Sequence, residues 1–348
     1  MGEGPRRVAA VALPTSGRPK GRASRVSPQW LTHAAVLAAA VVLVAWEVVN
    51  IGSLLATDGH LADASSYRGA VERWLSGASP YSAEQLSGSH TLGSAVGGAG
   101  FVYPPSALVL FLPLALGFEA TLLWVLLTHA AFVGVVFLIA RRELANTPLA
   151  AALVPVMVAL ALPGMNEIRF GNASALIAAL VGAMWLLPRW AAVIAVLAGA
   201  IKVFPLIGAA WGARWGASIR PALAVGVGLV AISLTAGIGR WAEWVTAMTT
   251  AIPSCPEWAL ESISCATGSS APGLLLAAAF VAGAVLAPSR AIGFLLLTVA
   301  MIVPAPDLYQ HYLLIPFVGI LPIACEALGR ALELVSDRRS RRLVPAGP

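Results

Sequence analysis

Apolar stretches as long as a bilayer is thick recur along the whole chain, and they constrain the fold more than any other feature. About 20 consecutive apolar residues suffice for an α-helix to cross the hydrocarbon core of a membrane. Of the 348 residues, 59% are hydrophobic and 11% are charged, whereas a soluble domain carries about 25% charged residues. The sequence lacks the short alternating strands of a membrane barrel. We therefore predict an all-α polytopic membrane protein.

Basic residues are concentrated at the two ends of the chain. Six of the 22 lysines and arginines lie within the first 25 positions, and five more lie between Arg330 and Arg342. Because basic flanks mark the cytoplasmic side, we predict that both termini are cytoplasmic, which requires an even number of spans. Residues 1–29 are predicted to be a disordered basic tail near membrane lipids, 30–332 an integral membrane domain, and 333–348 a second basic tail. The net charge of +6 does not indicate nucleic-acid binding.

About ten apolar runs follow one another, an even number that agrees with two cytoplasmic termini. The predicted spans are 31–55, 106–117, 120–140, 148–163, 173–187, 190–211, 221–238, 271–287, 291–304 and 311–331. This order places Arg141 and Arg142 outside, against the usual distribution of basic residues, and Arg290 inside. Because 106–117, 148–163 and 173–187 are short for a span, we expect some of them to be broken or re-entrant helices around a cavity.

The first long outer loop, Thr57–Pro105, is a polar segment between apolar runs. Its apolar residues recur at helical spacing from Ala64 to Trp74, which predicts a short amphipathic helix along the membrane interface. A Gly/Ser-rich stretch follows, which we expect to be mobile. The chain then re-enters the membrane at Pro104 and Pro105.

The second long outer loop covers about 239–269 and contains two of the three cysteines. Cys255 and Cys265 share this loop, while Cys325 lies in an apolar run. A cysteine pair in one loop outside the cytoplasm is a disulfide candidate. The sequence has no Cys-x-x-Cys motif or Cys/His cluster that indicates a metal, and we predict neither a metal nor a cofactor.

Charged and titratable residues near the apolar runs are candidates for function, because burying charge in a membrane is costly. They are Glu47, Asp63, Glu119, Glu167, Arg169, Lys202, Asp307 and His311. For each of them the alternative is an interfacial residue or a salt bridge between helices, and this alternative is favoured for Glu47, Glu119 and Asp307.

Several short motifs occur in a particular order along the chain. They are Asp63-x-x-x-Tyr67, Gly77-x-x-Pro80-Tyr81, Phe101-Val102-Tyr103-Pro104-Pro105, Gly171-Asn172, Ile201-Lys202-Val203-Phe204-Pro205 and His311-Tyr312. In this order, from about residue 31 to 330, the chain resembles glycosyltransferase family 87. The members of that family are mannosyltransferases that use polyprenyl-phosphate-mannose and have the GT-C membrane fold, and they include a mycobacterial, hence actinobacterial, phosphatidylinositol-mannoside mannosyltransferase. The family's usual Gly-Gln is Gly171-Asn172 here, and its paired late histidines are Gln310-His311.

The resemblance implies inverting transfer of a hexose, mannose by analogy, from a polyprenyl-phosphate donor to a lipid or glycan acceptor of the cell envelope. The active site would lie at the outer face of the plasma membrane. Such transfer needs a base for the acceptor hydroxyl and positive charge for the leaving phosphate. We predict Asp63 as the catalytic base. The predicted substrate-binding residues are Asp58, Tyr67, Tyr81, Tyr103, Arg169, Asn172, Lys202 and His311.

Each of these roles has a structural alternative. Asp63 could instead be the N-cap of its helix, and Asp58 could be either the cap or the base. Lys202 and Arg169 are candidates for the leaving phosphate, whereas Lys202 could instead snorkel to the interface. The ten-span order places Arg169 and Asn172 on the side opposite Asp63, which argues against both. The tyrosines and His311 could instead be interface residues.

Two other functions compete with transfer. A lipid or polyprenol flippase or transporter would show inverted repeats and charge near the middle of its spans, whereas the polar residues here cluster in two outer loops. A non-catalytic envelope-assembly protein would tolerate loss of Asp63. The sequence has neither a βαβ pattern with a Gly-rich phosphate loop nor an Asp-x-Asp motif, which favours a lipid-linked donor over a nucleotide sugar.

Overall fold

The computed structural model describes most of the chain. The described residues are 61–91, 100–145, 147–257 and 259–342, with scattered positions between 34 and 49. The predicted tail 1–29, most of the predicted span 31–55, Asp58 and the centre of the Gly/Ser stretch lie outside them, as does the end of the second tail. The domain boundaries therefore stay predictions.

The described chain is mainly helical and has almost no sheet, which agrees with the predicted all-α class. The α-helices are α1 (Ala62–Leu75), α2 (Ala83–Ser87), α3 (Pro105–Phe111), α4 (Phe118–Glu143), α5 (Pro148–Leu160), α6 (Leu162–Phe170), α7 (Ser174–Leu186), α8 (Ala191–Gly199), α9 (Gly208–Arg214), α10 (Ile219–Ser233), α11 (Ile238–Thr249), α12 (Ile263–Thr267), α13 (Ala271–Leu286), α14 (Arg290–Ala300) and α15 (Leu314–Arg342). The 3-10 turns are Leu112–Leu116, Pro188–Trp190, Phe204–Ile207, Leu234–Ala236 and Gln310–Leu313. Two short strands, β1 (His90–Thr91) and β2 (Ala251–Ile252), pair in parallel and join the two long loops.

Among the described residues, three helices are long and apolar enough to cross a membrane, or up to five if each bent pair is one span. The three are Phe118–Glu143, Ile219–Ala236 and Gln310–Leu334. The bent pairs are Ala150–Leu160 with Pro163–Phe170, bent by 55°, and Ser174–Leu186 with Pro188–Gly199, bent by 119°. The expectation of broken helices is therefore confirmed, and the number of ten spans stays a prediction.

Proline lies at or beside three of the breaks between the shorter helices. Pro163 lies in the first turn of α6, Pro188 follows α7, and Pro205 lies in the 3-10 turn between α8 and α9. Proline has no N–H to donate and its ring clashes with the preceding turn, while the residue before it avoids helical geometry. The sequence thus sets where the apolar runs bend.

The predicted span 190–211 is not one helix but a hairpin of α8 and α9. Its arms pack closely: a Cβ on Gly208 would lie 3.2 Å from the Cβ of Ala195, and one on Gly212 would lie 3.0 Å from the Cβ of Ala191. With a rise of about 1.5 Å per residue, the nine-residue α8 reaches only about 14 Å, roughly half of a hydrocarbon core. The apex of this hairpin carries Lys202.

Basic residues at one end of the bundle correct the predicted order of spans. Arg142 donates to the carbonyl of Leu186, and Arg290 donates to the carbonyl of Trp185. Arg142 and Arg290 therefore lie at the same end, and the prediction that separated them is wrong. The reason is that the predicted span 106–117 forms only α3 and a 3-10 turn, and this turn packs against α1 at the other end of the bundle.

The predicted amphipathic helix is confirmed as α1, and its apolar face packs on protein. The ring of Tyr67 stacks on Phe111 at 4.5 Å between centroids and meets Tyr103 edge-on at 4.9 Å. Phe111 lies edge-on against Trp124 of α4. Aromatic pairs in these geometries add about 0.5–1.5 kcal/mol each beyond their burial. They fix α1 against α3 and α4 and so fix the position of Asp63.

The second long loop is held against the segment that precedes α15. The sulfur atoms of Cys255 and Cys265 are joined in a disulfide, with Cα atoms 5.6 Å apart. The buried carboxylate of Asp307 accepts hydrogen bonds from the N–H and Oγ of Ser254 and from the N–H of Cys255. Leu260 pairs with Leu308 in an antiparallel bridge. The loop therefore anchors the segment that leads directly to His311.

Candidate functional site

Polar side chains from five parts of the fold meet where α1 begins. Asp63 lies in the first turn of α1, and Asn172 lies in the turn between α6 and α7. Lys202 lies at the hairpin apex, Tyr103 precedes α3, and His311 lies in the 3-10 turn before α15. None of these residues is close to another in sequence, so the packing of the bundle creates the site.

Asp63 is held by one hydrogen bond from another helix end. Its Oδ2 accepts from Nδ2 of Asn172 at 2.7 Å. The N-cap of α1 is Leu61, and no side chain caps this end, so the N-cap alternative for Asp63 is wrong. Burial raises the pKa of Asp63, while the bond from Asn172 and the charge of Lys202 lower it. A carboxylate with a raised pKa is a stronger base than an exposed one.

Asn172 is itself held in one orientation. Its Oδ1 accepts from the N–H of Ser174 at 2.9 Å and from the Oγ of Ser174 at 2.7 Å. These bonds leave the amide N–H groups to point at Asp63. The prediction that Asn172 lies on the side opposite Asp63 is therefore wrong, because the span order behind it miscounted 106–117.

Arg169 lies at the same end as Asp63 but does not join the cluster. Its carbonyl accepts from the N–H of Leu61 at 2.8 Å, which brings the end of α6 to the start of α1. The predicted separation of Arg169 from Asp63 is thus wrong as well. The side chain is exposed, and its guanidinium lies 5.7 Å from the ring centroid of Phe170.

The three predicted tyrosines form a buried wall behind Asp63. The hydroxyl groups of Tyr67 and Tyr103 are 2.6 Å apart, and the N–H of Ala173 donates to the Tyr67 hydroxyl at 3.4 Å. The Tyr81 hydroxyl donates to the carbonyl of Tyr103 at 2.9 Å. Burial raises the pKa of both Tyr67 and Tyr103, which keeps them neutral. Tyr81 thus supports Tyr103 from behind rather than facing the cluster.

Lys202 brings positive charge to the cluster. Its Nζ lies 3.9 Å from the ring centroid of Tyr312 and 5.6 Å from that of Tyr103, a cation–π arrangement. Burial lowers the pKa of Lys202 to about 8, and the charges of Glu167 and Asp63 act in the opposite direction. These rings give the ammonium group a partner inside the protein, so its charge is accounted for without snorkelling to the interface.

His311 is buried between aromatic rings. It stacks on Tyr309 at 5.6 Å between centroids, meets Tyr312 edge-on at 4.8 Å and lies 6.0 Å from Phe170. Among the described residues, neither of its ring nitrogens has a hydrogen-bond partner. A buried imidazole without a partner is available to a ligand.

Two residues of the cluster were missing from the predicted site. Glu167 on α6 is buried and interacts electrostatically with Lys202 and Asp63, and Tyr312 lies under the Lys202 ammonium. Glu167 carried a signal, because it is an acid near an apolar run, but the ten-span order placed it on the wrong side. Tyr312 follows His311 in the motif, but a tyrosine at this position did not by itself indicate a contact with Lys202.

One group of side chains outside the cluster has the spacing of a metal site. The ligand atoms of Cys255, Cys265 and Asp307 lie within 4.8 Å of one another. The two sulfurs are bonded to each other, so they cannot act as thiolate ligands. This group is a structural clamp on the second loop.

The chemistry of the cluster is that of a base beside a cation. Asp63 can accept a proton, and Lys202 and His311 can meet an anionic leaving group. Lys202 is only half-buried, so a ligand can approach it. The arrangement suits transfer of a group from an anionic carrier to a hydroxyl.

Comparison with known proteins gives one match. The glycosyltransferase family 87 model matches residues 101–315, more than half of the chain. The matched region contains Tyr103, Asn172, Lys202 and His311, while Asp63 precedes it. No curated protein and no solved structure matches the chain.

Proposed function

The chain belongs to glycosyltransferase family 87, and on that premise we propose that it transfers mannose from a polyprenyl-phosphate donor. The acceptor is a glycolipid or glycan of the cell envelope. The family makes the protein a membrane glycosyltransferase with a donor and an acceptor. The sugar, the lipid carrier and the roles of single residues are our proposal.

The observation that carries the proposal is the meeting of Asp63, Asn172 and Lys202. Asp63 takes the proton of the acceptor hydroxyl as its oxygen attacks the anomeric carbon of the sugar. The bond between that carbon and the phosphate oxygen breaks, and the phosphate leaves with the electron pair. Attack and departure on opposite faces invert the anomeric centre. Lys202 and His311 stabilise the negative charge on the departing phosphate.

The membrane setting supports a lipid-linked donor. The site lies between apolar helices, whose exposed surfaces carry large aliphatic side chains such as Leu223 and Val227 of α10. A polyprenyl tail can stay in lipid beside these helices while its phosphate reaches Lys202. Among the described residues there is no parallel sheet beyond one pair of two-residue strands, so no nucleotide-sugar domain of the α/β type is present there.

We further propose that the site faces the outer side of the plasma membrane and that both termini are cytoplasmic. The cluster lies at the end of the bundle opposite Arg142 and Arg290. Because clustered arginines favour the cytoplasmic side, the opposite end faces outward. The disulfide of the second loop lies at this outer end and suits an oxidising compartment.

Transfer by the purified protein in lipid nanodiscs tests the proposal. The protein is incubated with polyprenyl-phosphate-[¹⁴C]mannose or with GDP-[¹⁴C]mannose, together with envelope lipids as acceptors. We expect label to pass to an acceptor from the lipid-linked donor and not from the nucleotide sugar. Transfer from GDP-mannose alone would contradict the donor assignment. Movement of the lipid-linked donor across a vesicle without transfer would favour a transporter.

A further inference from the structure

One carboxylate oxygen of Glu167 accepts a hydrogen bond within the protein, and the other accepts none among the described residues. The residue lies on α6 and is 2% exposed. Its Oε1 accepts from the N–H of Ala175 at 2.7 Å, in the first turn of α7. Among the described residues, Oε2 has no hydrogen-bond partner and is itself buried. A buried acceptor without a partner costs free energy, so such groups in folded proteins call for an explanation.

The surroundings of Glu167 are those of the active site. The carboxylate interacts electrostatically with Lys202 and Asp63, and with Tyr103 and Tyr312. Its carbonyl accepts from the N–H of Gly171, which precedes Asn172. Glu167 therefore lies one helical turn before the residue that holds Asp63, in the same cluster.

The other charged groups of the cluster already have tasks under the proposed function. Asp63 serves the acceptor hydroxyl, and Lys202 serves the donor phosphate. The transferred sugar must lie between these two groups, because the bond that forms and the bond that breaks share its anomeric carbon. Its hydroxyl groups are hydrogen-bond donors that lose water on entering the site, and a carboxylate oxygen is a strong acceptor for them.

On the premise of the proposed function, we propose that Oε2 of Glu167 accepts a hydrogen bond from one hydroxyl of the transferred sugar. Glu167 is then a specificity-determining residue for the donor. A site built to pair with a substrate hydroxyl rejects an analogue that lacks it, since the acceptor is then left buried without a partner. The ligand of this oxygen is a hexose hydroxyl and not the phosphate, because two anions repel.

A purely structural role for Glu167 predicts different behaviour. As a cap of α7, the side chain needs only Oε1, and glutamine keeps a carbonyl oxygen at that place. Glu167→Gln therefore retains the cap and replaces Oε2 by an amide that cannot accept. Glu167→Ala removes both the capping oxygen Oε1 and the free oxygen Oε2. The exposed Glu119, at the start of α4, provides a matched control as Glu119→Gln.

Donor affinity, measured without acceptor, tests the inference. The ligands are polyprenyl-phosphate-mannose and its 2-, 3-, 4- and 6-deoxy analogues, and the proteins are the wild type and the three variants. In the wild type we expect loss of one particular hydroxyl to weaken binding about 10- to 100-fold, the range of a hydrogen bond to a charged group. In Glu167→Ala and in Glu167→Gln that loss should cost less than about twofold, because neither variant keeps an acceptor for the hydroxyl. The other three hydroxyls, and Glu119→Gln throughout, should behave as in the wild type.

The inference would be overturned if each of the four deoxy analogues lost the same factor of affinity in the wild type as in Glu167→Ala. Thermal unfolding of each variant shows whether the fold survives, and we expect Glu167→Gln to retain it. Because affinity is measured without acceptor, a protein that binds the donor selectively but transfers nothing would overturn the proposed function and not this inference. A wild type that does not bind the mannosyl donor would overturn both the donor assignment and the role of Glu167.

Discussion

At the scale of single residues, the proposed catalysis depends on how Asp63 is held. Asn172 donates to one oxygen of Asp63 while Ser174 fixes the amide of Asn172. Under the proposed function, the other oxygen of Asp63 takes the proton of the acceptor hydroxyl. These successive hydrogen bonds fix the orientation of the Asp63 carboxylate. Misplacing a catalytic group by about 1 Å can lower the rate about 100-fold.

Substitution of Asn172 should therefore lower the rate without weakening donor binding. We expect Asn172→Ala to reduce kcat by about 10- to 100-fold, with a small change in the KM for the donor. Asn172→Gln, which restores the family's usual residue, should retain most of the activity because its amide can still donate. Steady-state kinetics of the two variants make the comparison. Equal loss in both would show that the amide does not orient Asp63.

The pH dependence should reflect Asp63 and Lys202 in opposite senses. Asp63 acts as a base only when deprotonated, and burial raises its pKa, so kcat/KM should rise with pH on the acid side. Lys202 binds phosphate only when protonated, and its pKa is lowered to about 8, so kcat/KM should fall above about pH 8. In Lys202→Arg the guanidinium stays charged, and the alkaline fall should move upward by more than about one pH unit. An unchanged alkaline fall in this variant would assign it to another group.

The residue types of the site could be predicted from sequence, but not their partners. An aspartate that begins a polar helix and a lysine in an apolar run are conspicuous because charge near lipid needs a reason. The bond between Asp63 and Asn172 joins positions 109 residues apart, and no local pattern encodes it. The free oxygen of Glu167 likewise depends on how α6 and α7 meet.

At the scale of elements, short helices and glycine turns bring the site together. Gly171 ends α6 in the left-handed region at a φ of 62°. A Cβ at this position would lie 2.9 Å from the Cβ of Ala64 and 3.0 Å from a methyl of Val125. The turn before Asn172 therefore requires glycine both for its backbone angles and for its contact with α1.

Gly171→Ala should consequently separate α1 from the turn. We expect a loss of about 1–3 kcal/mol in stability from the strained backbone, together with a loss of activity because Asn172 and Asp63 move apart. Gly134→Ala on the open face of α4 is the control, since nothing lies within 4 Å of its Cβ position. Thermal unfolding measures the stability of both variants, and transfer assays measure their activity. Full activity in Gly171→Ala would show that this contact does not position Asp63.

The sequence indicated that some apolar segments are broken, but not whether a broken segment crosses the membrane or turns back. Short apolar runs indicated that some segments would bend, and the prolines beside the breaks give a physical reason. Whether such a segment crosses the membrane or turns back depends on what it packs against. The hairpin of α8 and α9 is held by close contacts at Gly208 and Gly212, which periodicity does not reveal.

At the scale of the whole molecule, two corrections give a consistent topology. If 106–117 does not cross and 190–211 is a hairpin that turns back, two crossings fall away from the predicted ten. Eight crossings remain, an even number that still agrees with two cytoplasmic termini. Arg141 and Arg142 then lie inside with Arg290, and Asn172 lies outside with Asp63. Arg141, Arg142 and Arg290 then all agree with the positive-inside rule.

Accessibility of single cysteines tests this topology. In a variant without native cysteines, we expect Arg141→Cys and Arg290→Cys to react with a membrane-impermeant thiol reagent only after cells are opened. Glu84→Cys on the exposed surface of α2 should react in intact cells. Labelling of Arg141→Cys in intact cells would restore the ten-span order and separate Asn172 from Asp63.

The proposed function depends on Asp63 as the base of a transfer reaction, and substitution of Asp63 is its most direct test. Asp63→Asn and Asp58→Asn are compared with the wild type for transfer from polyprenyl-phosphate-mannose and for donor affinity. We predict that Asp63→Asn lowers kcat by at least about 100-fold, the lower range for a general base, while donor affinity changes little and Asp58→Asn stays active. Full transfer activity in Asp63→Asn, or loss of activity only in Asp58→Asn, would contradict the assignment of Asp63 as the base.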